Sequence, residues 1–132
     1  MDAMEIAEQF NRSEIPGVVA RAINYDSGSA KYRDLSCNGV ILHVTQREVF
    51  RPVLSGLMLI KLVRDLHSEH FAWATYPSYV NPSGTRHLDK LLGIDRSELM
   101  FDLSSDAFVQ TARESRACLD WIPEITPYLL YV

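Results

Sequence analysis

The 132-residue chain, with 47% hydrophobic and 23% charged residues, has the composition of one compact domain that buries a core without covalent staples. Its formal charge of −4 comes from 17 acidic and 13 basic residues spread along the chain, which excludes the electrostatic footprint of a nucleic-acid or anionic-membrane binder. The longest apolar runs, Leu57–Ile60 and Tyr128–Val132, are too short to cross a bilayer, and no charged start with an apolar stretch behind it follows Met1.

In chain order, Asp2–Asn11 places Ile6, Ala7 and Phe10 on one face and Glu5, Glu8 and Gln9 on the other, which predicts a short amphipathic helix ending before Pro16-Gly17. Val18–Tyr25 is rich in β-formers and predicts a strand, broken at Asp26-Ser27-Gly28-Ser29. Asn38-Gly39 reads as a turn, and Val40–Thr45 after it is the strongest strand signal. Strand periodicity puts Val40, Leu42 and Val44 on one side and Ile41, His43 and Thr45 on the other, a pattern that predicts a central strand. Pro52 suits the first turn of a helix over Val53–His67, with Leu59, Leu62, Val63 and Leu66 inward and Lys61, Arg64 and Asp65 outward. Phe71–Thr75 predicts a short strand, and Tyr76–Arg86, with two prolines and a glycine, an irregular segment docked by Tyr76, Tyr79 and Val80. Leu88–Leu92 predicts a helical turn closed by Gly93, Ser105–Leu119 a helix capped by Ser104 or Ser105, and Tyr128–Tyr131 a terminal β-like segment. Neither a repeat nor a linker divides the chain, so one α+β domain over residues 1–132 is expected.

Few residues advertise chemistry. Asp26, Asp34, Glu48 and Asp89 lie near turns or element ends, where carboxylates are solvated or capping, and no two of them mark a catalytic acid pair. His67 and His70 have a spacing that could face a metal, but they fall at a helix C-terminus, where the dipole favours cations, and no third ligand is nominated. Cys37 and Cys118 read as buried or free thiols, with a disulfide as the second reading. A nucleophile elbow, a phosphate-cradling glycine loop and a dinucleotide fingerprint are all missing, so no cofactor and no metal is expected. What remains is His43, Thr45 and Arg47, grouped at the end of one strand where functional polar groups often project. Their alternative role is structural, a core histidine with a hydrogen-bond partner and an arginine paired with Glu48 or Asp89.

The stretch from Cys37 to Leu57 resembles the Cys-Gly-Gly-Val, His-Val-Thr-Asp-Arg, Phe-x-Pro-Val and Thr-Gly-Leu signature of the DUF1343 family, whose characterised members are exo-β-N-acetylmuramidases. Ile15-Pro16-Gly17-Val18, Lys31-Tyr32, Leu88–Gly93 and Tyr128-Leu129-Leu130-Tyr131 resemble further family segments in the same order. The resemblance implies a C-terminal accessory domain, mixed α and β with a barrel-like sheet. It also implies that a Rossmann-like N-terminal domain, absent here, carries the catalytic acids, so this chain would be a fragment, a split gene product or a domain living alone. Three departures stand out: the loop Tyr25–Lys31 lacks the family pattern, Asn38 precedes the single Gly39, and Gln46 replaces the aspartate.

What the resemblance implies for function is a substrate-cleft domain of a peptidoglycan glycoside hydrolase that releases terminal N-acetylmuramic acid, inactive by itself. His43, Thr45, Arg47, Asn38, Lys31 and Tyr32 are the expected substrate-facing positions and no catalytic residue is expected. The partners expected are a muramic-acid-containing sugar and the missing N-terminal domain, in cis or in trans. The alternative is a non-enzymatic binding or interaction module derived from that family. Family members are often exported, and the chain shows no signal peptide of its own.

Overall fold

A computed structural model describes residues 2–28, 33, 35–115 and 121–131. Helix α1 (Ala3–Arg12) begins at Asp2, whose Oδ1 accepts from the amides of Met4 (3.0 Å) and Glu5 (3.1 Å) and so satisfies two of the free N–H groups of the first turn. Ala3, Ile6, Ala7 and Phe10 form its buried stripe, as the periodicity predicts. Strands β1 (Val18–Asp26) and β2 (Ser36–Val44) pair antiparallel with Val18 opposite Val44 and Asp26 opposite Ser36. Val18 and Ala20 are buried against α1, and Val40 and Leu42 pack from β2 onto the same core. Helix α2 (Pro52–Leu66) contributes Leu54, Leu57, Met58 and Leu62, with Pro52 in the first turn where its missing N–H costs nothing.

Beyond α2 the chain makes short pieces. Helix α3 (His87–Leu92) ends at Gly93 in the left-handed region (φ 70°), a 3₁₀ turn covers Ser97–Asp102, and α4 (Ser105–Glu114) is capped by the Ser104 hydroxyl. Phe101, Phe108 and Ala112 from these pieces close the far side of the core. Helix α5 (Trp121–Ile125) and a 3₁₀ turn (Thr126–Tyr128) lead to an exposed end. No described helix is long and apolar enough to cross a membrane.

The α+β class holds, while the sheet differs from the expected barrel. Among the described residues it has two strands and is open, so β2 is an edge and not a central strand. Among the described residues the side of the hairpin away from α1 stays bare, with Val19, Tyr25 and Ile41 exposed. One part of the β1 edge is covered by a side chain: the Asn11 amide donates to the Ala20 carbonyl (3.0 Å) and accepts from the Ala20 amide (2.8 Å), as a neighbouring strand would.

Other expectations are corrected as well. Asn38-Gly39 is no turn but lies inside β2, because Asn38 bonds across to Asn24 and the Tyr25 ring lies over Gly39, 2.9 Å from where a Cβ would sit. Phe71–Thr75 forms no strand. Its rings dock edge-on instead, Phe71 on Trp73 (5.0 Å) and Trp73 on Phe101 (5.1 Å). Tyr79 and Val80, 100% and 86% exposed, do not anchor the irregular segment. Leu129–Tyr131 carries no strand, because neither edge of the hairpin receives it. Lys61, expected outward, is only 3% exposed, and its ammonium donates to Asp65 Oδ2 (2.7 Å) and to the Phe101 carbonyl (3.1 Å). The predicted helix beyond Ser115 and the thiol of Cys118 lie outside the described residues. Cys37 is a free, half-buried thiol.

Candidate functional site

Two sequence segments far apart in the chain meet at the foot of the hairpin. Gly17 adopts φ 75°, and its carbonyl accepts from the amides of Thr45 (2.8 Å) and Gln46 (3.3 Å). A Cβ on Gly17 would lie 2.4 Å from the Gln46 carbonyl oxygen and 2.9 Å from the Phe50 nitrogen, so only glycine permits the approach. Phe50 in turn donates to Gln46 (3.1 Å), closing the turn that carries Arg47. This clamp sets the direction in which the chain enters α2.

Beside the clamp is a recess of ≈ 650 Å³ lined by Pro16, Val49, Arg51, Pro52, Val53, Leu54 and Arg113. The Arg51 guanidinium is fixed on its Nη1 side, which donates to the carbonyls of Glu48 (3.2 Å) and Phe50 (3.3 Å), and its other nitrogens remain available. No ion pair involves Arg47, Arg51 or Arg113 among the described residues. The first turn of α2 carries no acid and no side-chain cap, so the recess has cationic groups and an apolar wall without a lining carboxylate.

The expected site residues divide. His43 is exposed on the bare side of the hairpin, while Thr45 and Arg47 are exposed on the connection that follows β2, near the clamp. Asn38 sits at the opposite end of β2, about 17 Å along the strand, and on the α1 side, where it lines a shallow recess with Asp2 and Asn24. It does not join the other three. Lys31 and Tyr32 lie outside the described residues. Arg51 and Arg113 were not singled out in the sequence; Arg51 stands inside the quoted signature, whereas nothing in the spacing nominates Arg113.

The acids behave structurally. Asp89 accepts at Oδ1 from the Ser97 hydroxyl (2.5 Å) and amide (2.8 Å), and at Oδ2 from the Arg96 amide (3.0 Å) and Arg86 Nε (2.7 Å). These bonds, that from the Ser97 hydroxyl foremost, hold its carboxyl down at about 2, against the desolvation that works the other way. A carboxyl so placed donates no proton near neutral pH. Asp95 and Asp89 raise the Arg86 guanidinium above its ordinary value. Asp34 lies outside the described residues, and among those described no three His, Cys, Asp or Glu side chains gather as metal ligands.

Fold and recess together define a small α+β domain with a cationic, apolar-walled cleft. A family model described as exo-beta-N-acetylmuramidase NamZ, C-terminal, matches residues 1–131, and the chain belongs to that family. It is similar to the peptidoglycan beta-N-acetylmuramidase NamZ of Bacillus subtilis (strain 168), with 35% identity over 80 residues covering 61% of this chain and 19% of the relative. The chain thus spans about a fifth of the length of the curated relative it matches. No solved structure matches it.

Proposed function

We propose that the domain forms one wall of the substrate cleft in a peptidoglycan glycoside hydrolase that releases terminal N-acetylmuramic acid. In this reading the catalytic carboxylates come from an N-terminal domain and the isolated chain does not turn over. The observation that carries it is the convergence of Pro16 and the Val49–Leu54 segment on one recess that holds Arg51 and Arg113, beside the turn that carries Arg47. A guanidinium already tied to backbone carbonyls loses little freedom when it binds a carboxylate, and the lactyl group of muramic acid supplies one. The domain's contribution is orientation and exclusion of water, and the chemical step belongs to the other lobe.

The test is muramoside hydrolysis by a protein carrying both domains. Arg47→Ala and Arg51→Ala are each expected to lower kcat/KM by about 10- to 100-fold, the worth of a charge-assisted hydrogen bond. Unchanged kinetics in both variants would overturn the reading, as would robust turnover by the 132-residue chain alone. The bare hairpin face favours a second reading, a module that docks a partner lobe without itself touching substrate. In that case substitutions at Val19 and Ile41 weaken association with the lobe while those at Arg47 and Arg51 leave the kinetics alone.

A further inference from the structure

A second cleft, of ≈ 500 Å³, lies on the part of the molecule that the recess at Gly17 does not touch. Its lining includes Trp73, Tyr76, Arg86, His87, Leu91 and Glu98. We infer that this cleft is a pyranose-binding subsite, in which the exposed rings of Trp73 and Tyr76 stack against the C–H face of an N-acetylated hexosamine in a glycan strand.

Four observations carry the inference. First, both aromatic residues present ring surface to solvent, Trp73 at 38% and Tyr76 at 63% exposure. Second, both rest against neighbouring rings. Trp73 is wedged edge-on between Phe71 and Phe101, and Tyr76 leans on the His87 ring at 4.7 Å. Aromatic surface binds at low entropic cost. Third, the segment that displays Tyr76 is tightly built. The Tyr76 amide donates to the Gly84 carbonyl (2.9 Å), and Gly84 at φ 67° leaves no room for a Cβ, which would fall 2.4 Å from the Pro77 nitrogen. Asn81, almost fully buried, holds the same loop by donating to the Thr85 carbonyl (3.1 Å) and accepting from Lys90. Fourth, a polar group on the lining is unspent: Glu98, partly open to solvent, makes no hydrogen bond or ion pair among the described residues. A carboxylate left so can accept from sugar hydroxyls.

An apolar platform flanked by a few directed polar groups is the general form of a small-ligand site. A hexopyranose fits it, having one C–H face for the rings and a rim of hydroxyls for Glu98. The choice of an N-acetylated hexosamine rests on the glycan reading proposed above; the aromatic cleft does not.

The experiment is a titration of the ¹⁵N-labelled 132-residue chain with a β-1,4-linked trimer of N-acetylglucosamine, followed by amide shifts and by Trp73 fluorescence in a Trp121→Phe background. The expected result is saturable shifts centred on Trp73–Tyr76, His87 and Glu98. Affinity should fall about five- to tenfold in Tyr76→Ala, the worth of one aromatic stack, and be kept in Tyr76→Phe. Tyr76 is chosen because its exposure lets the ring be removed without opening the core, whereas Trp73→Ala also strips a contact from Phe101. No saturable shifts, or equal affinity in Tyr76→Ala, would overturn the subsite. Shifts confined to Arg51, Val53 and Arg113 would also overturn it while leaving the proposed function intact, so the two readings fail separately.

Discussion

Gly17 and Asp89 are single residues on which whole segments depend, for opposite reasons. At Gly17 the constraint is steric, since both its positive φ and the nearby Gln46 carbonyl exclude a side chain. Gly17→Ala is therefore expected to lose about 2–4 kcal/mol of stability, read from urea unfolding; a loss under about 0.5 kcal/mol would mean that the clamp yields at little cost. At Asp89 the constraint is electrostatic. Its carboxyl is held at about 2 in the folded chain, below the ~3.9 of an unfolded one. The unfolded state thus binds the proton more tightly, and the stabilisation is complete above about pH 4 and is lost as pH falls through about 2. Asp89→Asn should lower stability at neutral pH and flatten its fall between about pH 4 and 2. An acid limb of unchanged slope in that variant would count against Asp89 as its source.

At the scale of elements, α1, β1 and α2 were legible because period is what a sequence displays, although the buried stripe of α2 is Leu54, Leu57, Met58 and Leu62, with the expected Leu59, Val63 and Leu66 half-buried beside it. Residue pairings across elements were not. Asn38-Gly39 carries the dipeptide signal of a turn, yet the partners that place it within β2, Asn24 and Tyr25, stand more than ten residues earlier. Lys61 reads as a solvent-facing charge, yet its ammonium serves the Phe101 carbonyl of the 3₁₀ turn, aided by Arg64, which donates to the same oxygen (2.7 Å). Lys61→Met keeps the stem and removes these bonds. It is expected to cost about 1–3 kcal/mol in thermal or urea unfolding, with no loss expected only if Arg64 alone satisfies Phe101. Asn11→Ala, which uncovers the Ala20 amide and carbonyl on the β1 edge, should cost a similar ~1–3 kcal/mol and increase self-association in sedimentation.

In the whole molecule, the helices enclose the core and the hairpin lies over it with one side open. A two-stranded sheet is marginal by itself, so amides near Asp26 and Ser36 should exchange by local opening, at least about tenfold faster than those of Ile6–Phe10 and Leu57–Leu62. Uniform exchange across these segments would show that hairpin and helices open together. Of the candidate site, the sequence offered the contiguous run His43, Thr45 and Arg47, while Arg51 was passed over inside the same signature. The site was unreadable where the fold brings in Arg113 from α4, or where Trp73 and Tyr76 act through exposure, which no pattern of residue types reveals. The open side of the hairpin also has a practical consequence. Cys37 lies on that side in register with Tyr25, its sulfur 3.6 Å from the Leu35 carbonyl oxygen. In a Cys118→Ser chain this thiol becomes a built-in footprinting probe: its alkylation rate falls when another lobe seats on the hairpin and holds steady when contact is made elsewhere.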